Sequence, residues 1–365
     1  MVGSNIKYIA LIAVVAVVAV IFASVLHAPK TSGTTNAVTS TMQTTIAATT
    51  IKSSSSTTSQ TTTAQARQGN ITGKYLMTFL ACTGSACTNP QNHKTYLAQS
   101  DDGSNWTLVH GFRPYTGSVP DLVRRGGTLY IYNPGTVTAY NISTGAESSQ
   151  QNVALRYANG TSTIFVDPSP ILSQNGSIVL FYLPGIIGQD PASCPTGQSS
   201  CTKSIMSATE VKGSNGTSFV ADSGARVKIP LGAPGSSPTV SDPAIFQDPL
   251  GYVLYVSSGQ SVLAYSSRQL QGNYTAISGL QDASLVQQGT GGVPSGYYSQ
   301  EGQQYWTYVS YTSPGVTGVI KLAKTSSIDS QIPSSAFATV VSGCDFPTLG
   351  CGYSVESPGI YPKTP

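Results

Sequence analysis

Four acidic residues stand where strand-forming segments begin: Asp121 in VPDLV, Asp167 in VDPSP, Asp242 in SDPAI and Glu356 in VESP. Each lies within two residues of a proline, in a chain with only 9% charged residues. Carboxyls brought within roughly 4 to 6 Å in a partly desolvated mouth resist joint ionisation, so at least one keeps its proton to higher pH. Such a proton suits a general acid, and the same crowding suits a mouth that binds cations or polyols. An Asp before Pro at a strand start is also a common turn cap, which shapes backbone and performs no chemistry.

Other catalytic signatures are missing. The chain has no GxSxG elbow, P-loop, HExxH motif or dinucleotide fingerprint, and no cofactor is implied. Six cysteines fall in three close pairs, Cys82 with Cys87, Cys194 with Cys201 and Cys344 with Cys351. Each pair brackets Gly, Ser or Pro, as a disulfide across a loop would. Zinc competes poorly for them, because its sites usually bring Cys-x-x-Cys spacing or nearby histidines, and the chain holds only His27, His93 and His110. Glycosylation sequons occur at Asn70, Asn105, Asn141, Asn159, Asn175, Asn215 and Asn273, although chance supplies several in so Ser/Thr-rich a chain.

The elements that must position the four carboxyls are short strands rich in Tyr, Val and Ile, separated by Gly, Asn and Pro turns. Several strand pairs repeat one design: 118–135, 166–185, 241–259 and, more loosely, 293–315, each with a Pro-led strand, a tight turn and an aromatic strand. A recurrence every 45 to 75 residues fits propeller blades with loop insertions. GKYLMTFLACTG (73–84) resembles the second strand of the unit without its first, and VESPGIYPKTP (355–365) the first without its second. Pairing the two ends closes a circle of five blades and leaves no sheet edge exposed. The competing arrangement is a β-sandwich of ordinary hairpins. The expected fold is therefore all-β, a five-bladed β-propeller closed by its C-terminal strand. YLAQSDDGSNW (96–106) falls one residue short of an Asp-box turn and is expected to be a structural hairpin. Tyr and Trp rings in YVLYV and YWTYV could stack on sugars, but their alternation fits packing between blades.

DPSPI, DPAIF and VPDLV, each followed by a turn and an aromatic strand, resemble the inner-strand repeats of five-bladed glycoside hydrolases of the arabinanase, xylosidase and levansucrase type. That resemblance implies a site of three carboxyls at one end of the axis: an Asp base, an Asp that tunes pKa and a Glu acid. Carried over, Asp121 matches the tuning aspartate, Asp167 and Asp242 match the Asp-Pro base motif, and Glu356 resembles the acid. Their order along the chain departs from the family, which runs base, modulator, acid through successive blades.

The N-terminal fifth of the chain has a different composition. Residues 8–26 (YIALIAVVAVVAVIFASVL) carry no charge and are long enough, at about 1.5 Å per residue, to cross a hydrocarbon core of about 30 Å. A cleaved signal peptide would usually have a shorter apolar run of roughly 7 to 15 residues and an A-x-A-like site, so an uncleaved transmembrane helix is expected. Residues 27–69 form a Ser/Thr-rich segment without acidic or aromatic residues, expected to be a disordered stalk, O-glycosylated or plain. The implied layout is 1–7 cytoplasmic, 8–26 in the membrane, 27–69 stalk and 70–365 extracellular domain. Lys7, Lys30, Lys52 and Arg67 are the only charged side chains before Asn70, which leaves 14 Lys and Arg against 15 Asp and Glu beyond it. That balance excludes the basic face nucleic acid requires. Two functions are left: a surface-displayed glycan-active or glycan-binding propeller, with membrane and carbohydrate as partners, or a non-enzymatic adhesin or envelope scaffold.

Overall fold

The computed structural model describes residues 71–185, 191–195, 197–232 and 239–364. The expected transmembrane segment 8–26 and stalk 27–69 lie outside the described residues. Among the described residues no helix is long and apolar enough to cross a membrane, and regular structure consists of strands with a few short 3-10 turns.

The strands form a β-propeller arrangement of five sheets among the described residues. Each sheet starts on an inner strand: Asp121–Arg125, Phe165–Leu172, Ser241–Asp248, Gly292–Ser299 or Tyr353–Tyr361. The next strands outward, such as Ile178–Pro184 (IVLFYLP) and Gly251–Ser257 (GYVLYVS), are almost wholly buried. A strand covered on both faces reads as a continuous apolar run rather than an alternating one. Farther out the alternation returns, as in Val227–Leu231, where Lys228 and Pro230 face solvent.

Five hydrophobic clusters fill the junctions between successive sheets, and the last joins the closing sheet back to the sheet begun by Asp121–Arg125. Fully buried Tyr132, Phe181, Tyr255 and Tyr308 sit in these junctions, and removing such rings from water stabilises the fold by roughly 1.5 to 3 kcal/mol each. Ring closure comes from the chain ends. Tyr353–Tyr361 pairs antiparallel with Tyr75–Thr83, from Leu76 opposite Tyr361 to Thr83 opposite Tyr353. The inner strands run from the axial mouth toward the opposite end, so residues 71–74 enter the domain at that opposite end, beside Tyr361 and Gln99.

Disulfides Cys82–Cys87, Cys194–Cys201 and Cys344–Cys351 are present, as the spacing predicts. The hairpin after Ser100 is structural. Asp102 Oδ1 accepts the amides of Ser104 and Asn105, each at 2.8 Å, while Trp106 and Tyr308 donate to the Gly103 carbonyl. Gly103 is required there, since its φ is +71° and a Cβ would stand 2.0 Å from the Trp306 ring. Asn105, Asn141, Asn159, Asn175, Asn215 and Asn273 are all exposed, and Asn70 lies outside the described residues.

Candidate functional site at the axial mouth

Each inner strand carries, just before or near its start or, in Tyr353–Tyr361, at its middle, a residue followed by proline: Val119-Pro120, Asp167-Pro168, Asp242-Pro243, Val293-Pro294 and Ser357-Pro358. These five dipeptides, with Asp121, line one small axial cavity. The residue before each proline is left-handed, with φ of 38°, 51°, 46°, 47° and 56° in chain order. Pairing with the next strand slips at this point in four of the five sheets. A proline has no N–H for the ladder, so the strand bulges there and aims the preceding side chain toward the axis. Asp tolerates the left-handed conformation, whereas a β-branched Val is strained in it.

Asp167 and Asp242 therefore occupy equivalent places on adjacent inner strands. The Asp242 amide donates to Asp167 Oδ2 at 3.2 Å. Desolvation in the proline-lined mouth pushes the Asp242 carboxyl up to about 6, opposed by the Ser241 side chain. Asp121 lies beneath them, two residues further along its own strand. Its Oδ1 accepts the Leu122 amide at 2.7 Å, and its Oδ2 accepts both the Ser169 hydroxyl at 2.8 Å and the Lys363 ammonium. Lys363 Nζ also donates to Ser169 Oγ at 3.0 Å, and that oxygen accepts the Ile245 amide at 3.1 Å. Burial raises the Asp121 carboxyl and lowers the Lys363 ammonium, and the attraction between them opposes both shifts. Three donors converge on the Asp121 carboxyl, which fits its ionised, acceptor-only form.

Glu356 does not join this group, contrary to the expectation from VESP. The residue equivalent to Asp167 is Ser357, which directly precedes the proline. Glu356 is one residue earlier, so its side chain turns to the junction with the neighbouring sheet. A Cβ built on Gly318 would stand 2.5 Å from Glu356 Oε1. Burial raises this carboxyl too, and it makes no hydrogen bond or ion pair among the described residues. The mouth thus gathers Asp121, Asp167 and Asp242, with Lys363 as a fourth charge that the sequence motifs did not indicate. No cluster of three or more His, Cys, Asp or Glu among the described residues could hold a metal ion.

The mouth is narrow. Its cavity is about 20 Å³, room for about one water, whereas small-molecule sites usually span roughly 300 to 1,000 Å³. A wider groove of about 930 Å³ lies between two sheets near Asp248, Tyr252 and Tyr305. Its one buried carboxylate, Asp248, is already satisfied by the amides of Leu250 and Gly251 and the Tyr305 hydroxyl. Asp242, whose carboxyl burial pushes up to about 6, lines the narrow mouth and not this groove.

No protein-family model matches the chain, and no curated protein matches it. Solved structures similar to it are glycoside-hydrolase propeller enzymes. One is a GH43_1 enzyme from Xanthomonas citri complexed with xylotriose, at 16% identity and TM-score 0.44, covering 66% of this chain and 82% of that one. Another is an alpha-L-arabinanase from Cellvibrio cellulosa, at 13% identity and TM-score 0.42, covering 67% of this chain and 87% of that one. A third is an endo-1,5-alpha-L-arabinanase from Thermotoga petrophila in complex with TRIS, at 14% identity and TM-score 0.42, covering 58% and 52%.

Proposed function

We propose that the domain is a carbohydrate-directed propeller displayed outside the cell, acting on glycans at the rim above Asp167 and Asp242. We read its five sheets as five blades of one ring, held to the membrane by residues 8–26 through the stalk 27–69. The observation that carries the reading is the pairing of Asp167 and Asp242 on adjacent inner strands, with Asp242 holding its proton to about 6. Glycosidic cleavage needs two carboxyls in different protonation states, one to protonate the leaving oxygen and one to activate water or attack. In this reading Asp242 is the acid and Asp167 its partner carboxyl, and Asp121 sets the charge beneath them. The DPSPI and DPAIF motifs favour the same substrate class by resemblance.

One observation favours a second reading, glycan binding or surface scaffolding without turnover: a mouth of about 20 Å³ cannot take a sugar ring down the axis. A panel of plant-like and microbial oligosaccharides separates the readings. Hydrolysis predicts that Asp242→Asn and Asp167→Asn each lose about 100-fold or more in turnover, while Glu356→Gln keeps it. Binding without product by any variant supports a lectin-like mouth, and neither binding nor turnover leaves the scaffold reading. Extraction of the full chain by detergent but not by alkaline carbonate tests the anchor.

A further inference from the structure

We propose that Lys363 is a positioning residue for the axial mouth, reaching up the axis from the opposite end to lock together the two inner strands that carry Asp167 and Asp242. Its meaning for function rests on the carbohydrate reading above; its physical content does not. Tyr361 pairs with Leu76 at the end remote from the mouth, and Lys363 lies two residues beyond it. From there its carbonyl accepts the Gln247 amide at 2.7 Å, near the far end of the strand Ser241–Asp248. Its ammonium rises to Ser169, two residues below Asp167, and through the Ser169 hydroxyl reaches the Ile245 amide, three residues below Asp242. One residue therefore holds the Asp242 strand directly through its carbonyl and, by way of Ser169, at a second height, and the Asp167 strand through its ammonium, with Asp121 as counter-charge.

The ring leaves space for this side chain. The residues that follow the five prolines are Asp121, Ser169, Ala244, Ser295 and Gly359, all small apart from the aspartate that binds the ammonium. A Cβ on Gly359 would stand 2.5 Å from Asp121 Oδ1 and 2.6 Å from Thr78 Oγ1, so even alanine would displace the pair. Lys363 is 3% exposed and Asp121 7%, and a buried carboxylate that loses its cation protonates or draws in water. Either response releases Ser169 and, with it, the spacing of Asp167 Oδ2 and the Asp242 amide. Among the described residues, the charged groups gathered at the mouth with Asp242 are Asp167 from the strand Phe165–Leu172, Asp121 from the strand Asp121–Arg125 and Lys363 from the tail. Among the described residues, the strands Gly292–Ser299 and Tyr353–Tyr361 present uncharged Val293, Pro294, Ser357 and Pro358 to the mouth.

The test follows the Asp242 carboxyl by carbon-13 NMR titration of the full chain. In the wild type its midpoint should lie near 6. Lys363→Met should raise it, because the ammonium is lost and the unpaired Asp121 beneath disfavours a second carboxylate, and Lys363→Arg should restore most of the difference. Because Lys363→Met leaves Asp121 unpaired and risks unfolding, Asp121→Asn is titrated alone and combined with Lys363→Met, a pair with no buried net charge. The double variant should titrate above Asp121→Asn alone, which keeps an unpaired ammonium beneath the mouth. Equal midpoints in those two, or a folded Lys363→Met indistinguishable from wild type, would overturn the proposal. A wild type that neither binds nor cleaves any glycan would defeat the carbohydrate reading while leaving this comparison intact.

Discussion

Two carboxylates in this domain are each paired with a cation brought from another strand or segment, and their surroundings drive them in opposite directions. Glu210 receives two bonds from Arg125, at 2.5 and 3.1 Å, and the amides of Ile178 and Gly216. Burial alone would raise Glu210, but the guanidinium and the two amides outweigh it and leave the group below the ordinary carboxylate range. Asp121 also has a cation, a hydroxyl and an amide, yet burial prevails and lifts it. The difference lies in the cation. Arg125 keeps 29% of its side chain exposed, whereas Lys363 keeps 3%, so only the axial pair dehydrates both charges. Desolvating two ions can outweigh their mutual attraction. The outer pair is a staple between two sheets, and the axial pair is a charge arrangement imposed by ring closure.

The largest expected effect breaks the axial pair. Lys363→Met and Asp121→Asn should each cost about 3 to 5 kcal/mol in urea denaturation, and the double variant should recover a large part of that loss. Arg125→Met should cost less, about 1 to 3 kcal/mol, because Glu210 keeps its two amides. Equal losses at the two pairs, or simple additivity at the axis, would erase the contrast.

A second experiment uses pH. The depressed pKa of Glu210 contributes stability that is present above its unfolded value and lost as pH falls through the folded one. The gap between wild type and Arg125→Met should therefore narrow in acid. Glu356 has the opposite sign: its raised pKa contributes stability below the unfolded value that is lost as pH rises through the folded one. Glu356→Gln should stabilise the domain by about 1 kcal/mol at pH 7 to 8, with midpoints converging near pH 4. Parallel profiles at all pH values would show that Glu356 is not held against its ionisation. The smallest effect tests the collar itself. Val293→Asn should add about 0.5 to 1 kcal/mol by relieving a β-branched residue at φ 47°, and unchanged stability would mean the ring tolerates that strain elsewhere.

Much of the fold was legible because its signals are local. Continuous apolar runs such as IVLFYLP, paired cysteines around short turns and an orphan strand at each end need no long-range information. The site was only partly legible, and the reason is one of register. Matching acids by residue type put Glu356 beside Asp167, whereas matching on the prolines would have aligned Ser357 with Asp167 and Asp242 and exposed the mismatch. A shift of one residue along a strand reverses the face a side chain occupies. Lys363 had no signal at all, since its partners Asp121, Ser169 and Gln247 are 242, 194 and 116 residues away and meet it only when the ring closes.

The place where the chain enters the ring sets which way the domain looks. Residues 71–74 join at the end opposite the mouth, beside the closing strand's last residues. Whatever precedes Ile71 therefore meets the domain on the side away from its carboxyl-lined mouth, and leaves that mouth unobstructed by the chain's own point of entry.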